Sequence, residues 1–158
     1  MRRPTPKRKS LADPKYKSIS IGKCINYIMK GGKKSTAQAV VYGSLDVIKE
    51  KTGKDPLDVY DLALKNVSPD VEVKSRRVGG ANYQIPISVT GSRKLSLALR
   101  WLIEAANQRK GMPMKEKLAA ELMDAADKTG SAMKKKETVY KMAESNRAFA
   151  HFGRARRK

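Results

Sequence analysis

One segment of this chain, residues 71–89 ("VEVKSRRVGGANYQIPISV"), has the alternating side chains of a β-strand, whereas apolar residues elsewhere recur at helical spacing. The alternation is interrupted at Gly79-Gly80, and glycine adopts the positive φ angles of a tight turn without steric cost. Pro86 lacks an amide hydrogen, so the second half of the segment cannot be a central strand of a wider sheet. The segment therefore predicts a single two-stranded hairpin in an otherwise helical protein.

Six segments have the apolar periodicity of amphipathic helices, three before the hairpin and three after it. In the fourth, "SRKLSLALRWLIEAANQRK", the apolar residues share one face: Leu95, Ala98, Leu99, Leu102 and Ala106. Residues that cap or break helices separate the segments: Gly31-Gly32, Gly53, Asp55-Pro56, Pro69, Pro113 and Gly130, which we expect to end the fifth helix. We predict a mainly α fold, a six-helix bundle-like domain with one β-hairpin inserted between helices three and four.

The two ends of the chain lack this periodicity. Residues 1–17 are rich in Pro, Lys and Arg and predict a flexible basic arm, and residues 149–158 predict a flexible basic tail. Between them, residues 18–148 are expected to form a single helical domain that carries the hairpin at 71–89.

Charge limits the kind of partner that the protein can bind. The chain has 35 Lys+Arg against 15 Asp+Glu, a formal net charge of +20, which favours a polyanionic partner: nucleic acid, an anionic membrane surface or an acidic protein. No apolar run approaches the roughly 18 residues of a membrane-spanning helix, and the first residues lack the apolar core of a secretory signal. A single cysteine, Cys24, suits a reducing cytosol. We expect a cytoplasmic, nucleic-acid-associated domain with no membrane partner.

The candidates for catalysis are few. His151 is the only histidine and falls in the basic tail, and Cys24 falls beside an apolar face, so the first is expected to stack or lie at the surface and the second to pack. "KGGKKST" does not match a phosphate-binding loop, because Tyr27 and Lys34 occupy the positions that require glycine and Ser or Thr. We predict no enzymatic activity, no metal site and no cofactor.

The hairpin and the fourth helix carry the cations of greatest interest. Arg76 and Arg77 are adjacent on a strand, so they point to opposite faces, and a ribbon lying in a groove could contact phosphates with both. Arg93 and Arg100 lie on the face of the fourth helix opposite its apolar residues. Two alternatives remain: the hairpin arginines only keep an exposed edge soluble, and the basic helical face is merely solvated. Trp101 could pack or stack on a base, and packing is favoured.

The motifs "VKSRRVGGANYQIPISV" and "LALRWLIEAA" resemble the bacterial form of the small-subunit ribosomal protein seven family. The stretches "INYIMKGGKKSTAQAVVYGSL" and "KKKETVYKMAESNRAFAHF" are also similar to that family, so the resemblance covers nearly the whole chain from "DPKY" onward. It implies a six-helix domain with a hairpin between helices three and four, in agreement with the periodicity.

The resemblance also implies a function and a set of partners. It implies a structural constituent of the small ribosomal subunit, in the cytoplasm, that is a primary binder of 16S rRNA in the 3′ major (head) domain and nucleates assembly of the head. It implies a place at the subunit interface, near the exit-site tRNA and the messenger RNA path, with small-subunit proteins nine and eleven as neighbours.

The motifs and the basic ends together give the residues that we expect to bind RNA. The expected rRNA-binding cations are Arg2, Arg3, Lys7, Arg8, Lys9, Lys33, Lys34, Lys74, Arg76, Arg77, Arg93, Lys94 and Arg100. The hairpin tip expected near the exit-site tRNA comprises Val78, Gly79, Gly80, Ala81, Asn82 and Tyr83. The expected tail contacts are Arg147, Arg154, Arg156 and Arg157. Ser88, Asn107 and the ending "HFGRARRK" depart from the family pattern.

Two other functions stay open on the sequence. An architectural DNA-binding protein also uses basic β-ribbons, but such ribbons usually insert an apolar or proline wedge at the tip, where this chain has Gly-Gly-Ala-Asn. An RNA-processing enzyme is the second alternative, and the shortage of nucleophiles and metal ligands counts against it.

Overall fold

The computed structural model describes residues 11–154. Its elements in chain order are α1 (Ile19–Ile28), α2 (Lys34–Thr52), α3 (Pro56–Val67), β1 (Val71–Val78), β2 (Ala81–Ser88), α4 (Gly91–Gln108), α5 (Met114–Ala126), α6 (Gly130–Ser145) and a C-terminal 3₁₀ helix (Arg147–Arg154). The strands form one two-stranded antiparallel sheet between α3 and α4. The predicted mainly α fold with an inserted hairpin is confirmed.

Two of the predicted helix boundaries have the expected chemistry. Asp55 caps α3: its carboxylate accepts the Leu57 amide at 2.9 Å, and Pro56 occupies the first turn, where no amide hydrogen is needed. Gly53 ends α2 in the left-handed conformation, with φ of 65°.

The prediction that Gly130 ends the fifth helix was wrong. α5 ends at Ala126, and Gly130 is the first residue of α6. The glycine is needed because the two helices approach closely there: a Cβ at Gly130 would lie 3.0 Å from Oε1 of Glu121 and 3.1 Å from Cβ of Asp124. Its φ of 90° adds a conformation that other residues rarely adopt.

The six α-helices pack around one apolar core. α4 contributes the predicted stripe and also a second buried side, with Leu97, Trp101 and Ala105. Trp101 is 8% exposed, so it packs in the core as favoured above. Cys24 is also buried, and burial raises the pKa of its thiol to about 12, which keeps it protonated and unreactive at neutral pH.

A buried carboxylate joins the last three helices. Glu121 on α5 is fully buried and accepts hydrogen bonds from Nε (3.0 Å) and Nη2 (2.6 Å) of Arg109, just after α4, and from the amide of Ala132 (2.9 Å) in the first turn of α6. Arg109 also pairs with Asp124. Burial alone would lower the pKa of Arg109, but the hydrogen bonds to Asp124 and Glu121 outweigh it and raise that pKa above its usual value.

Glu121→Ala should destabilise the fold more than the removal of any surface carboxylate. The substitution leaves the partly buried guanidinium of Arg109 and an amide at the N-terminus of α6 without the hydrogen bonds that Glu121 accepts. We expect the free energy of unfolding to fall by about 3 kcal/mol. This value is at the lower end for a broken buried ion pair, because Arg109 keeps some contact with water. Urea unfolding followed by circular dichroism measures it. Glu137→Ala, at an exposed site on α6, is the control and should stay within about 0.5 kcal/mol; equal effects of the two substitutions would contradict this role of Glu121.

Candidate nucleic-acid interface

The hairpin has the tight turn that its sequence predicts. Arg76 pairs with Tyr83, Arg77 with Asn82, and Val78 with Ala81 across the strands. The two residues of the turn, Gly79 and Gly80, have φ of 58° and 91°, both positive as a type I′ turn requires. Eight residues per strand give a ribbon about 25 Å long.

The two faces of the hairpin have different environments. Strand pairing places Glu72, Lys74, Arg76, Tyr83, Ile85 and Ile87 on one face, called here the inner face. It is covered in its lower part: Ile85 is 1% and Glu72 8% exposed. The opposite face, called the outer face, carries five exposed polar side chains, that of Ser88 at its base and those of Ser75, Arg77, Asn82 and Gln84 nearer the tip.

An ion pair ties the base of the inner face to α4. Glu72 accepts hydrogen bonds from Nε (3.1 Å) and Nη2 (3.0 Å) of Arg93, and Nζ of Lys74 lies 2.8 Å from its other oxygen. Burial alone would raise the pKa of Glu72, but the hydrogen bonds from Lys74 and Arg93 outweigh it and lower that pKa. Two N–H groups of one guanidinium converge on one oxygen of Glu72 while Lys74 holds the other, so these charge-assisted bonds fix the base of the hairpin against α4.

A second pair lies where the chain enters the hairpin. Lys94 pairs with Asp70, and the hydrogen bond and charge of Lys94 lower the pKa of that carboxyl. The hydroxyl of Tyr140, on α6, accepts the Asp70 amide at 2.9 Å and donates to its carboxylate at 3.2 Å. Lys136, on the same helix, donates to the carbonyl of Asn66, and burial lowers its pKa. α6 therefore supports the base of the hairpin from the other side.

These contacts divide the cations that the sequence analysis grouped together. Lys74, Arg93 and Lys94 each have a carboxylate partner within the protein. Arg77 has neither a side-chain hydrogen bond nor an ion pair within residues 11–154. A phosphate would meet more uncompensated charge at Arg77 than at the paired residues. The assignment of any of them to RNA contacts stays a prediction.

A groove continues the basic surface from α4 toward α1. The guanidinium of Arg100 lies over the ring of Tyr27, with its central carbon 5.7 Å from the ring centroid. Tyr27 is also part of the wall of a hollow of about 420 Å³, together with Lys30, Lys33 and Ile103. Lys33 and Lys34 follow the Gly31-Gly32 turn and are exposed. The structure thus brings Arg100 and Lys33 to the surroundings of Tyr27, around a groove that was not predicted from the sequence.

Several predicted contacts fall beyond these observations. The cations Arg2, Arg3, Lys7, Arg8, Lys9, Arg156 and Arg157 lie outside the described residues. Arg147 is exposed and lies 3.6 Å from the carboxylate of Glu144.

Aromatic residues after α6 pack on the hairpin, which the sequence analysis also missed. The ring centroid of Tyr83 lies 5.1 Å from that of Phe149 and 5.5 Å from that of Phe152. His151 is exposed, 4.0 Å from the Phe152 ring. The sequence did contain a signal for this packing: two phenylalanines lie three residues apart in an otherwise basic tail. That spacing places both rings on one face of a 3₁₀ helix.

Part of the predicted N-terminal arm is folded against α2. Asp13 is 3% exposed, and its carboxylate accepts the amides of Lys15 (3.1 Å) and Tyr16 (3.0 Å) and the hydroxyl of Tyr42 (2.7 Å). Burial, followed by the hydrogen bond to Asp13, raises the pKa of Tyr42 to about 12. Residues 11–17 are therefore held against α2 by the carboxylate of Asp13 and do not form an extended arm.

Comparison with known proteins identifies the family. The model of the family "Ribosomal protein S7p/S5e" matches residues 1–147. The chain belongs to this family. Relatives named "Small ribosomal subunit protein uS7" include those of Caldicellulosiruptor saccharolyticus (59% identical over 94% of this chain and 96% of the relative) and Caldanaerobacter subterraneus subsp. tengcongensis (56%, over the same shares). The relative from Dechloromonas aromatica is 53% identical over 96% of this chain and 97% of its own length.

Two kinds of feature are absent from the described part of this S7p/S5e family member. None of its helices is both long and apolar enough to cross a membrane. Nor do residues 11–154 hold a cluster of three or more His, Cys, Asp or Glu side chains that could bind a metal ion.

The ion pair at the base of the hairpin should make stability depend on pH in the acid range. The pKa of Glu72 is lowered from 4.5 in the folded protein, so its contribution is complete above pH 4.5 and is lost as pH falls through the folded value. The unfolding free energy of the unaltered protein should therefore exceed that of Glu72→Gln at pH 7, and the difference should shrink below pH 4.5. Urea titrations at both pH values measure it. Glu137→Gln removes the same charge from an exposed site and controls for the net charge; a difference that persists unchanged in acid would contradict the assignment.

Proposed function

We propose that this protein is a structural constituent of the small ribosomal subunit, a primary 16S rRNA-binding protein that nucleates assembly of the head by binding the 3′ major domain. Membership of the S7p/S5e family and the relatives named uS7 support this role. The observation that carries it within the structure is the presence of exposed cations on the hairpin and around the groove, Arg77, Arg100 and Lys33, in a chain whose net charge is +20.

The mechanism is scaffolding rather than chemistry, without a cofactor. A-form RNA hides its base edges in a deep, narrow groove, so a protein recognises folded RNA through phosphates, 2′-hydroxyls and shape. The ion pairs of Glu72 with Arg93 and of Asp70 with Lys94 hold the hairpin at a fixed angle. A preformed surface of this kind does not have to be ordered on binding, which favours affinity.

The place in the subunit is the finer part of the proposal. The protein would lie at the subunit interface, near the exit-site tRNA and the messenger RNA path, with small-subunit proteins nine and eleven beside it. Gly79 and Gly80 would let the tip approach a nucleic acid backbone closely, because both residues are exposed and have no side chains. The compartment implied by this role is the cytoplasm.

Arg100→Ala should weaken binding to a fragment of the 3′ major domain and flatten its salt dependence, because each phosphate neutralised releases counterions. The slope of log K against log salt should fall by about 0.9 for each phosphate that is no longer neutralised. Filter-binding titrations at several salt concentrations measure it. Lys51→Ala is the control, since Lys51 is exposed near the far end of α2, about 25 Å along the helix from Lys34. Equal slopes for Arg100→Ala and the unaltered protein, or equal affinity for duplex DNA, would contradict the proposal.

Deletion of residues 78–82 should change the retention of exit-site tRNA, and it should reduce rRNA binding only by the contribution of Asn82, the one outer-face polar residue that it removes. The reason is that the tip residues Gly79, Gly80, Ala81 and Asn82 are exposed, whereas the contacts that hold the hairpin lie nearer its base. Reconstituted subunits carrying the deletion can be tested for tRNA dissociation and, in parallel, for uptake of the protein. An unchanged rate of tRNA dissociation would contradict the proposal that the hairpin tip helps to retain exit-site tRNA.

A further inference from the structure

The C-terminal 3₁₀ helix closes the distal half of the inner face of the hairpin. Both phenylalanines of the chain lie in it, and both rings meet Tyr83, at 5.1 Å and 5.5 Å between centroids. Ile85, the next residue on that face, is 1% exposed although it is not part of the main core cluster. The hairpin therefore has apolar side chains buried outside the main core, and the ring of Tyr83 is packed by residues more than sixty positions later in the chain.

Arg76 takes part in this closure. It is the cross-strand partner of Tyr83, so its side chain lies on the inner face. Its Nη1 donates a hydrogen bond to the carbonyl oxygen of Phe152 at 3.1 Å. The guanidinium thus fastens the end of the 3₁₀ helix to the strand, while the rings of Phe149 and Phe152 pack beside it.

Arg77 has the opposite environment. It points to the outer face, is exposed, and makes no side-chain hydrogen bond or ion pair with any residue in the described range. Its neighbours on that face, Ser75, Asn82 and Gln84, are also exposed and offer hydroxyl and amide groups. One guanidinium among neutral donors and acceptors suits an RNA backbone, where phosphates alternate with 2′-hydroxyls.

We propose that the C-terminal 3₁₀ helix is a clamp that commits the inner face of the hairpin to protein and leaves the outer face, with Ser75, Arg77, Asn82 and Gln84, to contact RNA. In this arrangement Arg76 is a positioning residue: it holds the clamp and does not neutralise a phosphate. The assignment of the outer face to RNA rests on the proposed function, whereas the clamp itself does not.

The physical reason for a clamp is the weakness of an isolated ribbon. A two-stranded hairpin is marginally stable in water, and its base alone is held by ion pairs to α4. Packing Tyr83 against the two phenylalanines stabilises the distal half before any partner arrives. The outer face is then presented in one orientation, and the adjacent arginines, which look equivalent in the sequence, have different tasks.

Salt dependence separates the two tasks. Arg77→Ala should reduce the slope of log K against log salt by about 0.9 in rRNA binding, and Arg77→Lys should restore it, because lysine also neutralises a phosphate. Arg76→Ala should lower the affinity severalfold with an unchanged slope, and its effect should not add to that of Phe152→Ala, since both release the same clamp. A slope reduced as much by Arg76→Ala as by Arg77→Ala would overturn the positioning role; an unchanged slope in Arg77→Ala would overturn the assignment of the outer face.

Hydrogen exchange in the free protein tests the clamp without RNA. Phe152→Ala and Arg76→Ala should both speed the exchange of β2 amides near Tyr83 and Ile85, with the helical core unaffected, whereas Phe152→Leu, which keeps an apolar side chain, should do so much less. Unchanged exchange in Phe152→Ala would overturn the clamp. Failure of the unaltered protein to bind rRNA would overturn the proposed function and the outer-face assignment, and the exchange experiment would still decide whether the clamp exists.

Discussion

The ion pair between Glu72 and Arg93 is the contact on which the binding surface depends. It joins the only sheet in the described chain to the helix that crosses the core, through two hydrogen bonds of 3.0 and 3.1 Å. Without a carboxylate at that point, two positively charged elements would meet at the base of the hairpin with nothing to hold them together. The direction of the ribbon and the position of its outer face both follow from this contact.

The same logic holds for the other buried charges. In the described residues, the buried ionisable side chains of Asp, Glu, Lys and Arg are all acidic: Asp13, Glu72 and Glu121. Each accepts hydrogen bonds from another element of the chain: Asp13 from Tyr42, Glu72 from Arg93, and Glu121 from Arg109 and the first turn of α6. In this chain of net charge +20, buried acidic side chains therefore hold the elements together. Most of the Lys and Arg side chains of the described residues are exposed to solvent.

Local features of the sequence were enough to predict the elements and their order. Gly79-Gly80 and Pro86 determine a two-residue turn and a ribbon that cannot join a wider sheet, and Asp55-Pro56 determines a helix start; the structure has all three. What could not be predicted depends on residues far apart in the chain. Whether Arg93 is free or paired is decided by Glu72, 21 positions away, and the contact of Arg76 with Phe152 spans 76 positions. Gly130 was misassigned for the same reason, because its neighbour Glu121 belongs to another helix.

The span of that contact between Arg76 and Phe152 has a consequence for biosynthesis. Tyr83 and Ile85 leave the synthesising ribosome well before Phe149 and Phe152, and at ordinary elongation rates the interval is several seconds. During this time the ribbon can form its turn and its cross-strand hydrogen bonds, but the distal half of its inner face stays exposed to water. The packing of the ribbon is therefore complete only after Phe149 and Phe152 have been synthesised, and a product terminated before them would lack it.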